Sequence, residues 1–292
     1  MTLFNLITHE LPLVIFTAMA QAVVGFSFLY AFNVIKGLHK EDSYKSFALM
    51  YIVMLAIALI ASIFHLGNPF NAPYLLTRVG MFEIGGSWHV SWFPNEVFSV
   101  GILFVLAALL YLKPSKLLVY SIPTMGMVML FFMSGIYGSM SSTVVTWNFY
   151  LSFVLFVASA IFLGGILYRI IYSDIIKTRY SAFIFSLMGF ILFGLSLVLY
   201  TLHIGSVRID GLVNVFDLMS GYYQPIMIFG FGLGGFALFL LFYVDIIRTF
   251  ILGNEVSVSK IIPSLVLVIS IFGVFATRVI YYGLVNTTMW LG

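Results

Sequence analysis

Long apolar runs separated by short polar gaps dominate the pattern along the chain. Eight runs are long enough to be helices: residues 12–35, 46–66, 95–112, 117–137, 149–172, 180–203, 223–247 and 261–285. A helix needs about 20 apolar residues to cross roughly 30 Å of hydrocarbon, and each run comes near that length. Most gaps are short and carry punctuation such as "KPSK" (113–116) and "LGNEVSVSK" (252–260). Two are longer: 67–95 and 204–222. The pattern predicts an all-α membrane protein, a bundle of about eight transmembrane helices forming a single integral domain over 1–292.

Composition agrees. Hydrophobic residues make up 62% of the 292 and charged residues only 8%, against about 25% charged in soluble domains. So few charges cannot cover a water-facing surface. The absence of cysteine excludes disulfides, thiolate metal sites and iron–sulfur ligation by this protein. No stretch resembles a basic nucleic-acid patch. The first apolar run is too long for a signal-peptide core and lacks a basic leader, so it should act as an uncleaved insertion signal.

The placement of charge sets the expected orientation. Ten of the thirteen Lys and Arg residues fall in gaps after odd-numbered helices, Arg78 and Arg208 fall on the opposite side, and Arg278 lies inside the last helix. Basic loops stay cytoplasmic, so both termini should face outward, away from the cytoplasm. Glu10, His65, Arg78, Glu83, His89, Glu96, His203, Asp210 and Asp217 then share the outer face.

Ionisable groups in or beside hydrocarbon are costly and therefore candidate functional residues. His65 ends the second helix in "ASIFHLGNP", where imidazole could handle protons. Gly67 and Pro69 follow it as helix terminators. Arg278, in "FATRVIYYGLV", should lie roughly two turns from the outer end. Glu96 in "PNEV" suits a helix N-terminus, with Asn95 as N-cap. Asp245 is most simply a partner for Arg248. Gly230-xxx-Gly234 can let helices approach closely. A bis-histidine haem would need two imidazoles at one depth, and His65 with His203 is the available outer pair. Only His39 stands on the inner side, so two stacked haems are excluded. A transporter would place polar groups at the midplane, whereas the middle of each run reads as apolar.

The motifs "HELPLVIFT" (9–17), "ASIFHLGNP" (61–69), "TRVG" (77–80) with "NEV" (95–97), "STVVTW" (142–147) and "RVIYYG" (278–283) come in an order that resembles the membrane-anchor subunits of dimethyl sulfoxide reductase, in the NrfD-like group. Between "TRVG" and "NEV" the stretch "MFEIGGSWHVSWFP" is longer than expected of close relatives. The resemblance implies an anchor that binds and oxidises menaquinol without haem or metal of its own. It also implies an iron–sulfur partner subunit, which passes electrons to a molybdopterin catalytic subunit in anaerobic respiration. Carried over by motif, His65 and Glu96 would act in quinol oxidation, with Arg278, Tyr282 and Arg78 as further quinol contacts. The alternatives are a haem-b quinol oxidoreductase subunit and a polytopic transporter.

Overall fold

A computed structural model describes residues 3–65, 70, 72–84, 86–172, 176–209, 213–247 and 260–289. Eight long helices cross the bundle: α1 (Leu3–Ile35), α2 (Asp42–His65), α4 (Trp92–Leu112), α5 (Lys116–Ser139), α6 (Phe149–Ile171), α7 (Ile176–Ser206), α8 (Val215–Phe242) and α9 (Ile261–Met289). All eight are long and apolar enough to span a membrane. A one-turn helix α3 (Ala72–Leu75) and a 3-10 turn (Leu76–Arg78) follow α2.

The long gaps contain strands that the apolar pattern does not announce. β1 (Met81–Ile84) pairs antiparallel with β2 (Ser87–Val90), with Phe82 opposite His89 and Glu83 opposite Trp88. The hairpin is the stretch that is long for the resemblance. A second, two-residue ladder joins β3 (Arg208–Ile209) to β4 (Val213–Asn214).

α1 is the most enclosed of the eight spans. It packs against α2, α5, α6, α7 and α9, and α6 in turn carries α7. Small residues set the closest seam. A Cβ on Gly25 would stand 1.8 Å from the Ala160 carbonyl oxygen, and one on Gly164 would stand 2.3 Å from the Gly25 carbonyl carbon. Apolar burial gives helices in lipid little reason to associate, so backbone approach of this kind supplies the packing. Gly230 makes a similar approach to Gly273, where an added Cβ would meet the carbonyl oxygen at 2.7 Å. The first glycine of the Gly-xxx-Gly spacing therefore forms an α8–α9 contact.

Two local expectations are corrected. α4 begins at Trp92 after Ser91, whose hydroxyl forms no capping bond. Asn95 is not a cap: its Oδ1 accepts from the Gly80 N–H at 2.7 Å and its Nδ2 donates to the Gly80 carbonyl at 3.1 Å. The amide clamps the base of the hairpin because it reproduces a strand-like pair of bonds. Asp245 sits in a π-helical turn (Tyr243–Ile247) that extends α8, and it accepts a bidentate pair from Arg169 of α6, with Nε–Oδ2 at 2.6 Å. Both side chains are 1% exposed. An acid buried in a bundle pairs with the cation that shares its depth, which sequence adjacency to Arg248 does not reveal. Arg248 itself, like Gly67, Pro69 and Asp210, lies outside the described residues.

Candidate functional site

The connectivity brings the end of α2, the start of α4, the end of α5, the start of α6 and the last turns of α9 to one end of the bundle. His65 is the final residue of α2, and α2 packs on α4, whose first turns carry Glu96. The His65 imidazole, with the side chains of His9, Glu10 and Asp217, lies outside the described residues. Glu96 is 3% exposed, and its Oε1 has no hydrogen-bond partner among the described residues. A buried acceptor left unpaired costs about 1–3 kcal/mol, so such an atom calls for an explanation.

Tyr137 of α5 and Tyr282 of α9 lie within electrostatic range of Glu96. The Tyr137 hydroxyl donates to the Tyr282 hydroxyl at 3.1 Å, and Tyr282 donates to Thr17 Oγ1 at 3.3 Å. One turn below on α9 is Arg278, fully buried. Its Nη2 donates to Gln21 Oε1 and to Ser159 Oγ, each at 2.9 Å, and Ser159 Oγ also lies 2.9 Å from Gln21 Oε1. Gln21 Nε2 reaches the Met133 sulfur at 3.6 Å. The guanidinium lies 4.3 Å from the Phe156 ring centroid, a cation–π contact. Arg278 Nε and Nη1 have no hydrogen-bond partner among the described residues.

Depth corrects two expectations. Arg278 is eleven residues from the end of α9 at Met289, about 16 Å at 1.5 Å per residue. It is thus three turns in, not two. Ser159, which Arg278 contacts, is ten residues into α6 from Phe149 and twelve from its end at Ile171, about 15 Å inside, and Gln21 meets both at that depth. The middle of the bundle therefore holds a polar triad of Arg278, Gln21 and Ser159, where the apolar pattern suggested none. Isolated polar residues within 20-residue apolar runs do not disturb the pattern, so Gln21 and Ser159 carry no signal except their polarity at that depth.

Above this column the loop "STVVTW" folds into the mouth. Trp147 Nε1 donates to the Tyr281 carbonyl at 3.2 Å and its ring stacks on Tyr281, with centroids 5.9 Å apart. Tyr200 donates to the Thr146 carbonyl at 2.8 Å, and Tyr281 shares a 2.7 Å bond with Ser152. Tyr137, Trp147, Gln21 and Ser159 were not anticipated as parts of the site. Glu96, Tyr282 and Arg278 do converge on one column. Arg78 does not join them: it is exposed at the end of the 3-10 turn.

His65 stands on α2, which packs on α1 and α4, and His203 on α7, which packs chiefly on α6 and α8. The His203 ring lies beside Tyr200, with centroids 6.2 Å apart.

A family model described as DMSO reductase anchor subunit (DmsC) matches residues 5–284. The C subunit of the anaerobic dimethyl sulfoxide reductase of Escherichia coli K12 is 35% identical over 151 residues, covering 48% of this protein and 49% of that subunit. The corresponding C subunit of Haemophilus influenzae is 31% identical over 163 residues, covering 50% and 55%. The YnfH subunit of anaerobic dimethyl sulfoxide reductase, also of E. coli K12, is 30% identical over 152 residues, covering 48% and 49%. The sequence thus spans about half the length of the curated relatives it matches. No solved structure matches it. With eight membrane-spanning helices and a family match over nearly its whole length, this protein belongs to the DMSO reductase anchor subunit family.

Proposed function

We propose that this protein anchors a molybdopterin oxidoreductase complex in the inner membrane and oxidises menaquinol at the outer end of its bundle. One observation carries the reading: the buried Glu96 carboxyl, one oxygen of which has no hydrogen-bond partner among the described residues, stands in the first turns of α4, which packs on α2, the helix that ends at His65. Oxidation of a quinol releases two electrons and two protons. The electrons pass to an iron–sulfur subunit and on to a molybdopterin subunit, and the protons need acceptors at the site. His65 takes the first proton and Glu96 relays a proton to the outer water, roles that require each to come within hydrogen-bond reach of a quinol hydroxyl. Arg278 and Tyr282 position the ring, because the guanidinium has two nitrogens without partners among the described residues and Tyr282 links it to the Glu96 side of the site.

The partner docks on the loops at this end. Tyr74, Leu76, Phe82 and Trp88 are exposed there by 69%, 55%, 40% and 66%, and aromatic surface of this kind is enriched at protein interfaces. The basic loops at the other end support this orientation by the positive-inside rule. A quinol oxidised outside, with its electrons kept outside, moves no charge across the bilayer.

The test uses the assembled complex in membranes. Substituting His65→Ala or Glu96→Gln should abolish quinol-dependent reduction while leaving assembly and dye-dependent reduction unchanged. Wild-type rates of quinol oxidation in both variants would overturn the site. Labelling of a cysteine placed within 67–94 should occur in intact cells. Labelling only after permeabilisation would reverse the orientation.

A further inference from the structure

The opposite end of the bundle carries a second site of different chemistry. A groove of about 740 Å³ lies between the last turns of α1 and the first turns of α7, within the size range of small-molecule sites. Its apolar wall includes Phe28, Phe32, Ile184, Phe185 and Met188, and its rim carries Lys36 and Lys177. Lys36 directly follows α1 and Lys177 is the second residue of α7, so both ammonium groups stand at the boundary of the hydrocarbon.

Between rim and wall comes a short polar step. Asn33 is fully buried, and its Nδ2 donates to Ser181 Oγ at 3.1 Å. Its Oδ1 has no hydrogen-bond donor among the described residues, although Asn33 lines the groove. Lys36 is held over the Phe32 ring, with Nζ 4.7 Å from the centroid. Among the described residues no carboxylate lines the groove.

The sequence of chemistry from mouth to floor is cation, then amide and hydroxyl, then aliphatic and aromatic wall. A phospholipid presents the complementary order: phosphate, then glycerol, then acyl tail. We propose that this groove binds one anionic phospholipid, with its phosphate between Lys36 and Lys177, its glycerol region at Asn33 and Ser181, and its acyl tails along the wall. A hydroxyl or water carried in with the headgroup supplies the donor that Asn33 Oδ1 lacks. The lysines make the site selective for net negative headgroups, since a zwitterionic lipid brings a second cation to the same rim.

Delipidated full-length protein in a mild detergent is titrated with short-tailed phosphatidylglycerol, and with phosphatidylcholine as the zwitterionic control. Bound lipid is counted by native mass spectrometry. One phosphatidylglycerol should be retained in preference to phosphatidylcholine. The Lys36→Gln/Lys177→Gln double variant should bind it about 30-fold more weakly, since a basic residue near an anionic surface contributes about a fivefold factor in affinity. A Lys40→Gln/Lys45→Gln variant, which removes two exposed charges from the same end outside the groove, should stay within about twofold of wild type. Ile184→Trp, which fills the groove and keeps both lysines, should also lose the bound lipid. Equal retention of the two lipids, or equal losses in the two lysine doubles, would overturn the assignment.

Discussion

Replacing Asp245 by alanine strips the only acidic partner of Arg169 among the described residues and leaves a guanidinium 1% exposed inside the bundle. The pair is bidentate, with both carboxylate oxygens engaged. Breaking a buried pair by removing one partner costs about 3–5 kcal/mol, because the surviving charge stays desolvated. Removing both is a different perturbation. Arg169→Met with Asp245→Leu leaves no orphan charge and roughly conserves volume, so it should lie within about 1 kcal/mol of wild type. The assay is reversible unfolding in mixed detergent micelles, run as a double-mutant cycle with Asp245→Leu, Arg169→Met and the double, beside Asp245→Ala. The stable double should also keep quinol turnover, since this pair lies at the end away from Glu96. A loss below about 1 kcal/mol for Asp245→Ala, or a double that loses the sum of the singles, would refute the view that Arg169 is held in the bundle by Asp245.

Arg278 should behave in the opposite way. Arg278→Met removes a buried charge that lacks an acidic partner among the described residues, so the unfolding midpoint should hold or rise while quinol-dependent turnover falls at least tenfold. Steady-state kinetics beside an unfolding curve read both. Gly25→Ala should prevent recovery of folded protein from membranes, because its Cβ would stand 1.8 Å from the Ala160 carbonyl oxygen, and yield by size-exclusion chromatography measures it. His39, in the loop after α1, is buried against Tyr30 and Tyr172 and hydrogen-bonded to the Tyr168 hydroxyl at 2.5 Å. Burial lowers its pKa from 6.5 to about 4. The unfolded protein therefore binds this proton first, so stability should be full above pH 6.5 and decline as the pH falls towards 4. His39→Gln should flatten that slope in pH-dependent thermal unfolding.

The membrane spans were legible because an apolar run of sufficient length admits few other structures in lipid. Glu96, Tyr282 and Arg278 were reachable as costly or motif-borne groups in apolar surroundings. Tyr137, Trp147, Gln21 and Ser159 were not, since each meets its partners across helices far apart in sequence. Gln21 and Arg278, for instance, are 257 residues apart. The hairpin at 81–90 leaves no sequence signature for a different reason. Its strands are four residues long and mostly exposed, so no buried face imposed an alternating pattern. Asn95 had the right identity for a cap but found better partners at Gly80, a contact that only the fold of the loop creates.

The enclosure of α1 bears on how the molecule is made. Translation delivers this helix before its neighbours, yet the groups that satisfy it come much later. Gln21 waits for Ser159 of α6 and Arg278 of α9, and Thr17 waits for Tyr282. Until α9 inserts, α1 holds an amide and hydroxyls in lipid without their final partners. The central column thus closes by threading Arg278 into a socket prepared by α1 and α6, and a ribosome that stops short of α9 leaves a membrane-inserted product with no such column.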